Sequence, residues 1–241
     1  LFQIIKSNEK VISGECNRTY ILDQEDQIDI LATKQSAYAY MAVEGGFNIK
    51  PFYKSVSVLS RAGIGPNEGK KIKISDKINI KISSKSEKNH STKIVNKNKN
   101  IIRVLKGPQF NYFAKDSQKD FFSKEYKISN LTDRMGMRLE GAVMQNVINP
   151  NIRSEGITKG AIQVPADGQP IVLLTDYPTI GGYPKIANVI SADYDILIQK
   201  TPGEKIIFKL IELHEAEQLY KEHVNNISET INNIKELNWH F

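Results

Sequence analysis

Apolar residues in this chain come in short runs, and through its first third they alternate with polar ones. In KKIKISDKINIKIS (70–83), Ile72, Ile74, Ile78, Ile80 and Ile82 take alternate places on either side of Ser75-Asp76-Lys77. A period of two sends successive side chains to opposite faces, which suits half-buried strands and no helix. The stretch predicts two strands, or one strand with a sharp bend. AYAYMAVEGG (37–46) predicts a strand ending in a glycine turn. FYKSVSVLSRAGIGPNEG (52–69) predicts a serine-rich alternation followed by a permissive backbone at Gly63, Gly65 and Gly69.

Beyond residue 100 the pattern is mixed. NIIRVLKG (100–107), GAIQVP (160–165), PIVLLTD (170–176) and EKIIFKLIEL (204–213) predict strands, PIVLLTD being apolar on both faces and therefore buried. NYFAKDSQKDFFSKEY (111–126) has helical spacing, with Phe113, Phe121, Phe122 and Tyr126 as a core stripe. From Glu215 onward Ala216, Leu219, His223, Ile227, Ile231, Ile234 and Leu237 recur at helical intervals. The expected organisation is a first β domain (1–83), a basic low-complexity linker (84–99), a second β domain (100–213) and a C-terminal amphipathic helix (214–241). Many short strands, glycine turns and few helices imply a mainly β chain with closed or sandwiched sheets rather than a doubly wound fold.

Composition removes several classes of function. With 241 residues, 40% hydrophobic and 25% charged, the chain can bury a sizeable core. No stretch of eighteen uninterrupted apolar residues offers a membrane span. The opening LFQIIKSNEK lacks the basic head, apolar centre and small-residue cleavage site of a secretory leader. Cys16, the lone cysteine, excludes an internal disulfide and a cysteine-based zinc site. A reduced, cytoplasmic setting is expected. The net charge of +6 sits mostly in SSKSEKNHSTKIVNKNKN (83–100), which holds five lysines and one glutamate. Little excess remains to form a nucleic-acid face, so a solvated linker is the expected reading and no nucleic-acid partner is assigned.

The chemistry must rest on carboxylates, arginines, amides and backbone. There is no GxxxxGK[ST] loop, HExxH pair or GxSxG elbow. His90, His214, His223 and His240 lie in the linker or near the C-terminal helix, so no metal site is expected. LTDRMGMRLEG (131–141) crowds Asp133, Arg134 and Arg138 around Gly136. A guanidinium is shaped to grip a carboxylate or phosphate with two hydrogen bonds, and Glu140 partly offsets the positive surplus. An internal Asp–Arg pair closing a turn is the alternative. Gln163 and Gln169 can donate and accept without charge, as an amide or lactam substrate would require, although PADGQP (165–170) is also good turn chemistry. TDYPTIGGYP (175–184) follows a buried strand with Asp176, the flexible Gly181-Gly182 pair, Tyr177 and Tyr183, stiffened by Pro178 and Pro184. That is more than a surface turn needs and predicts the wall of a pocket.

Together, IRVLKGPQFNYF, SNLTDRMGMRLEG, SEGITKGAIQVPADGQPIVLLTDYPTIGGYPKIANVISAD and TPGEKIIFKL resemble the family of the 5-oxoprolinase C subunit. It is also called allophanate hydrolase subunit 2, the biotin-dependent carboxyltransferase-like family, or the KipA family. The resemblance covers about residues 35 to 213. It implies two cyclophilin-like β-barrel domains, and work with a KipI-like subunit and a lactam-processing subunit that open 5-oxoproline to glutamate with ATP. Relatives fused within urea carboxylase imply the alternatives: a carboxyltransferase that meets biotin on another protein, or a KipA-like regulatory binder without catalysis. Within the shared blocks fall Asp133, Arg134, Gly136, Arg138, Glu140, Gln163, Asp167, Gln169, Asp176, Gly181, Gly182, Tyr183 and Pro184. Asp176, Arg138 and Gln163 are the expected catalytic residues. Arg134, Gln169, Gly181, Gly182 and Tyr183 are the expected substrate- or anion-binding ones. Family members usually begin with a further N-terminal segment, so the first barrel is expected to be incomplete here. They also commonly carry arginine and tyrosine where Val56 and Leu59 stand.

Overall fold

The computed structural model describes residues 1–33, 36–81, 88–94 and 99–237. These form two units, one of Leu1–Tyr38 with Asn89–Phe241 and the other of Ala39–Lys88. The division therefore does not follow a break at residue 83, because the first 38 residues belong with the second half of the chain.

The larger unit opens with β1 (Phe2–Ile5), β2 (Val11–Ser13) and β3 (Gln27–Ile30), an antiparallel sheet with β1 in the centre. It continues with β4 (Asn89–Ser91), β5 (Ile101–Lys106), α1 (Lys115–Ser123), β6 (Tyr126–Ile128) and β7 (Gly136–Glu140). Next come β8 (Glu155–Gly156), β9 (Ala161–Gln163), β10 (Ile171–Leu173), β11 (Ile180–Gly181) and β12 (Lys185–Val189). Last are α2 (Ser191–Ile198), β13 (Lys205–Leu210), α3 (Leu213–Asn232) and β14 (Lys235–Leu237).

Seven of these strands close into a barrel in the order β10-β7-β6-β13-β5-β12-β9. An odd ring cannot alternate in direction all the way round, and the exception is β13 beside β5, the one parallel pair. Closure pairs every strand on both sides and leaves no edge for another chain to extend. Alternation fills the interior: Ile102, Val104, Tyr126, Ile128, Met137, Leu139, Ile162, Val172, Ile186, Ile206 and Phe208 are all at most 1% exposed. Of the expected helical stripe over 111–126, only Phe121 and Phe122 lie on α1, where Phe121 stacks on Phe208 at 4.7 Å between ring centroids; Phe113 precedes the helix and Tyr126 stands on β6, although both are buried. The mainly β expectation holds, with three α-helices among the described residues. Where two barrels are expected, one closes among the described residues, while β1–β3 form an open sheet.

Two expectations at the chain's joints change. Asn89–Ser91, inside the expected linker, is β4 and pairs with β14; residues 84–87 and 95–98 of that linker lie outside the described residues. The C-terminal helix stops at Asn232 instead of running to 241, because the chain turns at Asn233 and directs its next backbone groups to β4. Of the expected stripe, Ala216 and Leu219 pack against Ile190, Ala192, Ile211 and Leu105. Ile227 and Ile231 are exposed, and His223 sits 3.6 Å from Asp195 on α2.

The unit of Ala39–Lys88 overturns the strand expectations drawn from its alternation. Its described residues hold two 3₁₀ turns, Ser60–Ala62 and Pro66–Gly69, and isolated bridges such as Phe47 to Ile80. Ile74 is 98% exposed. Alternation supplies a face, but a strand needs a hydrogen-bonded neighbour along its length. The permissive backbone at the glycines is as expected. Gly65 has φ +117°, and a Cβ there would stand 2.4 Å from the Ser57 carbonyl oxygen.

Candidate functional site

Strand register assembles the site. On the barrel wall, Arg138 of β7 lies opposite Ile171 of β10, Ile171 opposite Gln163 of β9, and Gln163 opposite Lys185 of β12. Residues directly opposite in a ladder point to the same face. Their chain neighbours Met137, Val172, Ile162 and Ile186 belong to the core, so this row lies on the outer face of the barrel. Neighbouring strands are about 4.8 Å apart, which sets Arg138 and Gln163 roughly 10 Å apart at the backbone. Arg138 is exposed, and its guanidinium has no ion-pair or hydrogen-bond partner among the described residues.

The other end of the row is covered. β8 and β11 form a two-stranded strip in which Gly181 pairs with Glu155. Gly181 rests on Gln163 so closely that a Cβ there would stand 2.5 Å from the Gln163 amide nitrogen. A larger residue at 181 would push the end of the Gln163 side chain aside. Gln163 is 6% exposed, and its Nε2 has no hydrogen-bond partner. A buried donor left unpaired costs about 1–3 kcal/mol. Beside it, the buried Lys185 ammonium is bonded to Glu155 Oε1. Gln109 braces both: its Nε2 donates to Glu155 Oε1 at 2.8 Å, and its Oε1 accepts the Lys185 backbone N–H at 3.1 Å.

The Lys185 bond, and secondarily the Gln109 bond, hold the Glu155 carboxyl below its ordinary value. A lowered carboxyl contributes stability above its unfolded pKa and loses it as pH falls through the lower folded value. A carboxylate NMR titration is expected to place Glu155 below an ordinary glutamate, and Lys185→Met to return it upward. An unchanged midpoint in the variant would break the assignment of cause.

Arg134 and Asp176 occupy each other. The Arg134 guanidinium donates to both carboxylate oxygens, at 2.8 and 3.0 Å, just past the ends of β7 and β10. The Asp–Arg pair foreseen as an alternative lay within residues 131–141; Arg134 pairs instead with Asp176, 42 positions away. Asp133 instead shapes the turn, accepting the Met135 and Gly136 N–H groups. Gln169 closes a turn as well: its Oε1 accepts from Gly141 N–H and its Nε2 donates to the Gly141 carbonyl, while Asp167 accepts the Gln169 N–H. Glu140 accepts from the Ser129 hydroxyl. Gly182 gives its carbonyl to Ile152 N–H, Pro184 gives its own to Val164 N–H, and Tyr183 is exposed. The row thus brings Arg138, Gln163 and Gly181 together, and leaves Arg134, Asp176 and Gln169 engaged elsewhere.

Residues 5–210 match the family model described as carboxyltransferase domain, subdomain A and B. The chain belongs to that family. Within it, the 5-oxoprolinase C subunit of Escherichia coli strain K12 is 36% identical over 74% of this chain and 57% of its own length. The Haemophilus influenzae protein of the same name is 35% identical over 77% of this chain and 60% of its own. The chain thus spans about three-fifths of the length of these relatives. The crystal structure of the K. lactis urea amidolyase superposes over 95% of this chain and 15% of that one, with a TM-score of 0.81 at 21% identity, a likeness of fold. For this carboxyltransferase-domain chain, the residues that sequence reasoning missed are Lys185, Glu155 and Gln109. One signal was available: Lys185 follows GGYP directly, in a segment otherwise destined for the core.

Proposed function

We propose that this chain is a subunit of an ATP-dependent complex that opens 5-oxoproline to glutamate, and that it supplies the contacts holding the cyclic amide. The observation that carries this reading is the row of Arg138 and Gln163 on one face of the barrel wall. Arg138 is charged, exposed and unpaired, and is suited to the substrate carboxylate. Gln163 has an unused amide donor, suited to the lactam carbonyl. Arg134 and Asp176 act in this reading as a strut that fixes the turn beside the row, and Gly181 as the close cover over Gln163.

ATP is assigned to a partner subunit. Among the described residues, the three α-helices begin after Ala114, Ile190 and Glu212, positions without a glycine-rich turn. The partners proposed are a KipI-like subunit and a lactam-processing subunit, consistent with the name shared by both curated relatives. The family description favours one further reading, carboxyl transfer to a small amide nitrogen with biotin carried on another protein.

The test is 5-oxoproline-dependent ATP hydrolysis by the chain mixed with partner subunits from the same genome. Turnover that requires the chain supports the reading. A stable complex without turnover favours a KipA-like regulatory role. Arg138→Ala is expected to lower kcat/KM roughly 30-fold, about 2 kcal/mol of lost charge-assisted bonding, in a protein that stays folded. Activity near the original level would remove Arg138 from the site.

A further inference from the structure

Helix α3 carries more apolar surface than the barrel covers. Near its start Ala216 and Leu219 pack against Ile190, Ala192 and Ile211. Near its end the Thr230 carbonyl accepts from the Thr92 hydroxyl, and β14 pairs with β4, so the helix is held at both ends. Between these anchors residues 224–229 are all exposed. A second apolar stripe runs about a quarter turn round from the one on the barrel. It consists of Leu213, Tyr220, Val224, Ile227 and Ile231, which are 41–61% exposed. From Tyr220 its spacing is four, three, four, the strict repeat of a two-helix seam and narrower than the face a single core buries. Glu215, Glu222 and Glu229 recur every seven residues on the opposite side of the helix, completing the heptad.

The flanks of the stripe choose its occupant. Beside it stand Lys221, Ser228, His223 and Thr230, while the three glutamates point away, so two copies can meet without like charges along the seam. Glu217 sets the direction, being the one charged residue in line with the stripe. A parallel pair would press Glu217 against its own copy, whereas an antiparallel pair places it past the last turn of the other helix. We infer that α3 is the interface of an antiparallel homodimer of this chain. Tyr220 of one copy packs against Ile231 of the other, and Val224 against Ile227, each contact repeated by a two-fold axis between residues 225 and 226. Such an interface buries on the order of 1,200 Å², the lower end for specific association, and dissociation in the micromolar range is expected. Because the helix is already anchored at both ends, pairing orders little further chain. The inference does not depend on the proposed function.

The test is sedimentation velocity on the full chain over roughly 1–100 µM, a range that brackets the expected dissociation constant. The expected result is a reversible shift from monomer to dimer as concentration rises. Ile227→Glu, at the centre of the seam, should weaken the dimer at least tenfold, while Glu229→Gln on the far side should leave it unchanged. The thermal transition of each variant at low concentration serves as the control on folding. If Ile227→Glu unfolds, Val224→Lys decides. For direction, chains carrying Val224→Cys and Ile227→Cys, each with Cys16→Ser, are mixed and oxidised. The antiparallel pair predicts the mixed disulfide in preference to either self-linked one, and dominance of the self-linked forms would overturn that arrangement. A chain that stays monomeric throughout, or a dimer that both seam variants leave intact, would overturn the interface. If the monomeric chain instead binds a partner subunit and loses it on Ile227→Glu, the face belongs to that subunit and the homodimer is wrong.

Discussion

Replacing Asp193 with Ala is expected to cost about 3–5 kcal/mol of stability, the usual result of removing one partner of a buried ion pair. Asp193 is fully buried at the start of α2, and one oxygen accepts both the Arg103 backbone N–H and its Nε, each at 2.8 Å. The other oxygen accepts from Nη2. The carboxylate therefore fixes α2 to β5 through side chain and main chain together, and pushes the Arg103 guanidinium further above its ordinary value. Asp193→Ala leaves a guanidinium with an 18% exposed side chain and a backbone donor without an acceptor. Urea denaturation should show the loss as a lower midpoint at similar slope. Adding Arg103→Met to Asp193→Ala should restore part of it by removing the stranded charge, but not all, because the Arg103 N–H stays unpaired. A single-variant loss under about 1 kcal/mol would show that the pair contributes little.

The parts of this molecule legible in the sequence are those where local pattern and tertiary demand agree. Strands β5, β9, β10 and β13 were foreseeable because their alternation or solid apolar run is what a barrel wall buries. α1 was foreseeable only in part, since the expected helix over 111–126 forms at Lys115–Ser123 and leaves Phe113 and Tyr126 outside it. The same rule misreads residues 70–81, where the isoleucines alternate as well but the pairing stops at one bridge, Phe47 with Ile80, flanked by the Asn48–Asn79 and Lys81–Gly46 hydrogen bonds. It also overruns α3, since helical periodicity continues through Ile234 although the backbone leaves the helix at Asn233.

The site divides along the same line. Arg138 and Gln163 stand out in sequence because a charged and an amide side chain interrupt apolar wall strands, and Gly181 because it belongs to a Gly-Gly pair in a loop richer than a turn needs. Gln109, Glu155 and Lys185 do not, because each is an ordinary polar residue until the fold joins them. Gln109 and Glu155 are 46 positions apart. Lys185 meets Gln163 only through the register of β12 with β9. Arg134 and Asp176 illustrate the opposite failure. Two residues of suggestive chemistry, 42 positions apart, turn out to face each other.

Phe121→Ala is expected to cost about 3–5 kcal/mol, the range for truncating a fully buried aromatic residue, and to lower Tm by roughly 6–20 °C in a chain of this size. The Phe121 ring has no exposed surface and lies nearly parallel to Phe208, with an angle of 11° between the planes. Tyr126 sits 5.8 Å from both rings, and Phe122 5.1 Å from Phe121, so the cavity left by truncation is walled by aromatics that cannot collapse far. Phe121→Leu keeps most of the volume and should lose less than half as much. The barrel decides between the possible outcomes. Were α1 merely resting on the wall, Ala would free it to move away and the loss would stay near the transfer term for a half-buried ring, about 1–2 kcal/mol. A loss in the full range shows that the helix is part of the barrel's core. The Gln163 row should then still form in the Leu variant, because the strand register that builds it does not pass through α1.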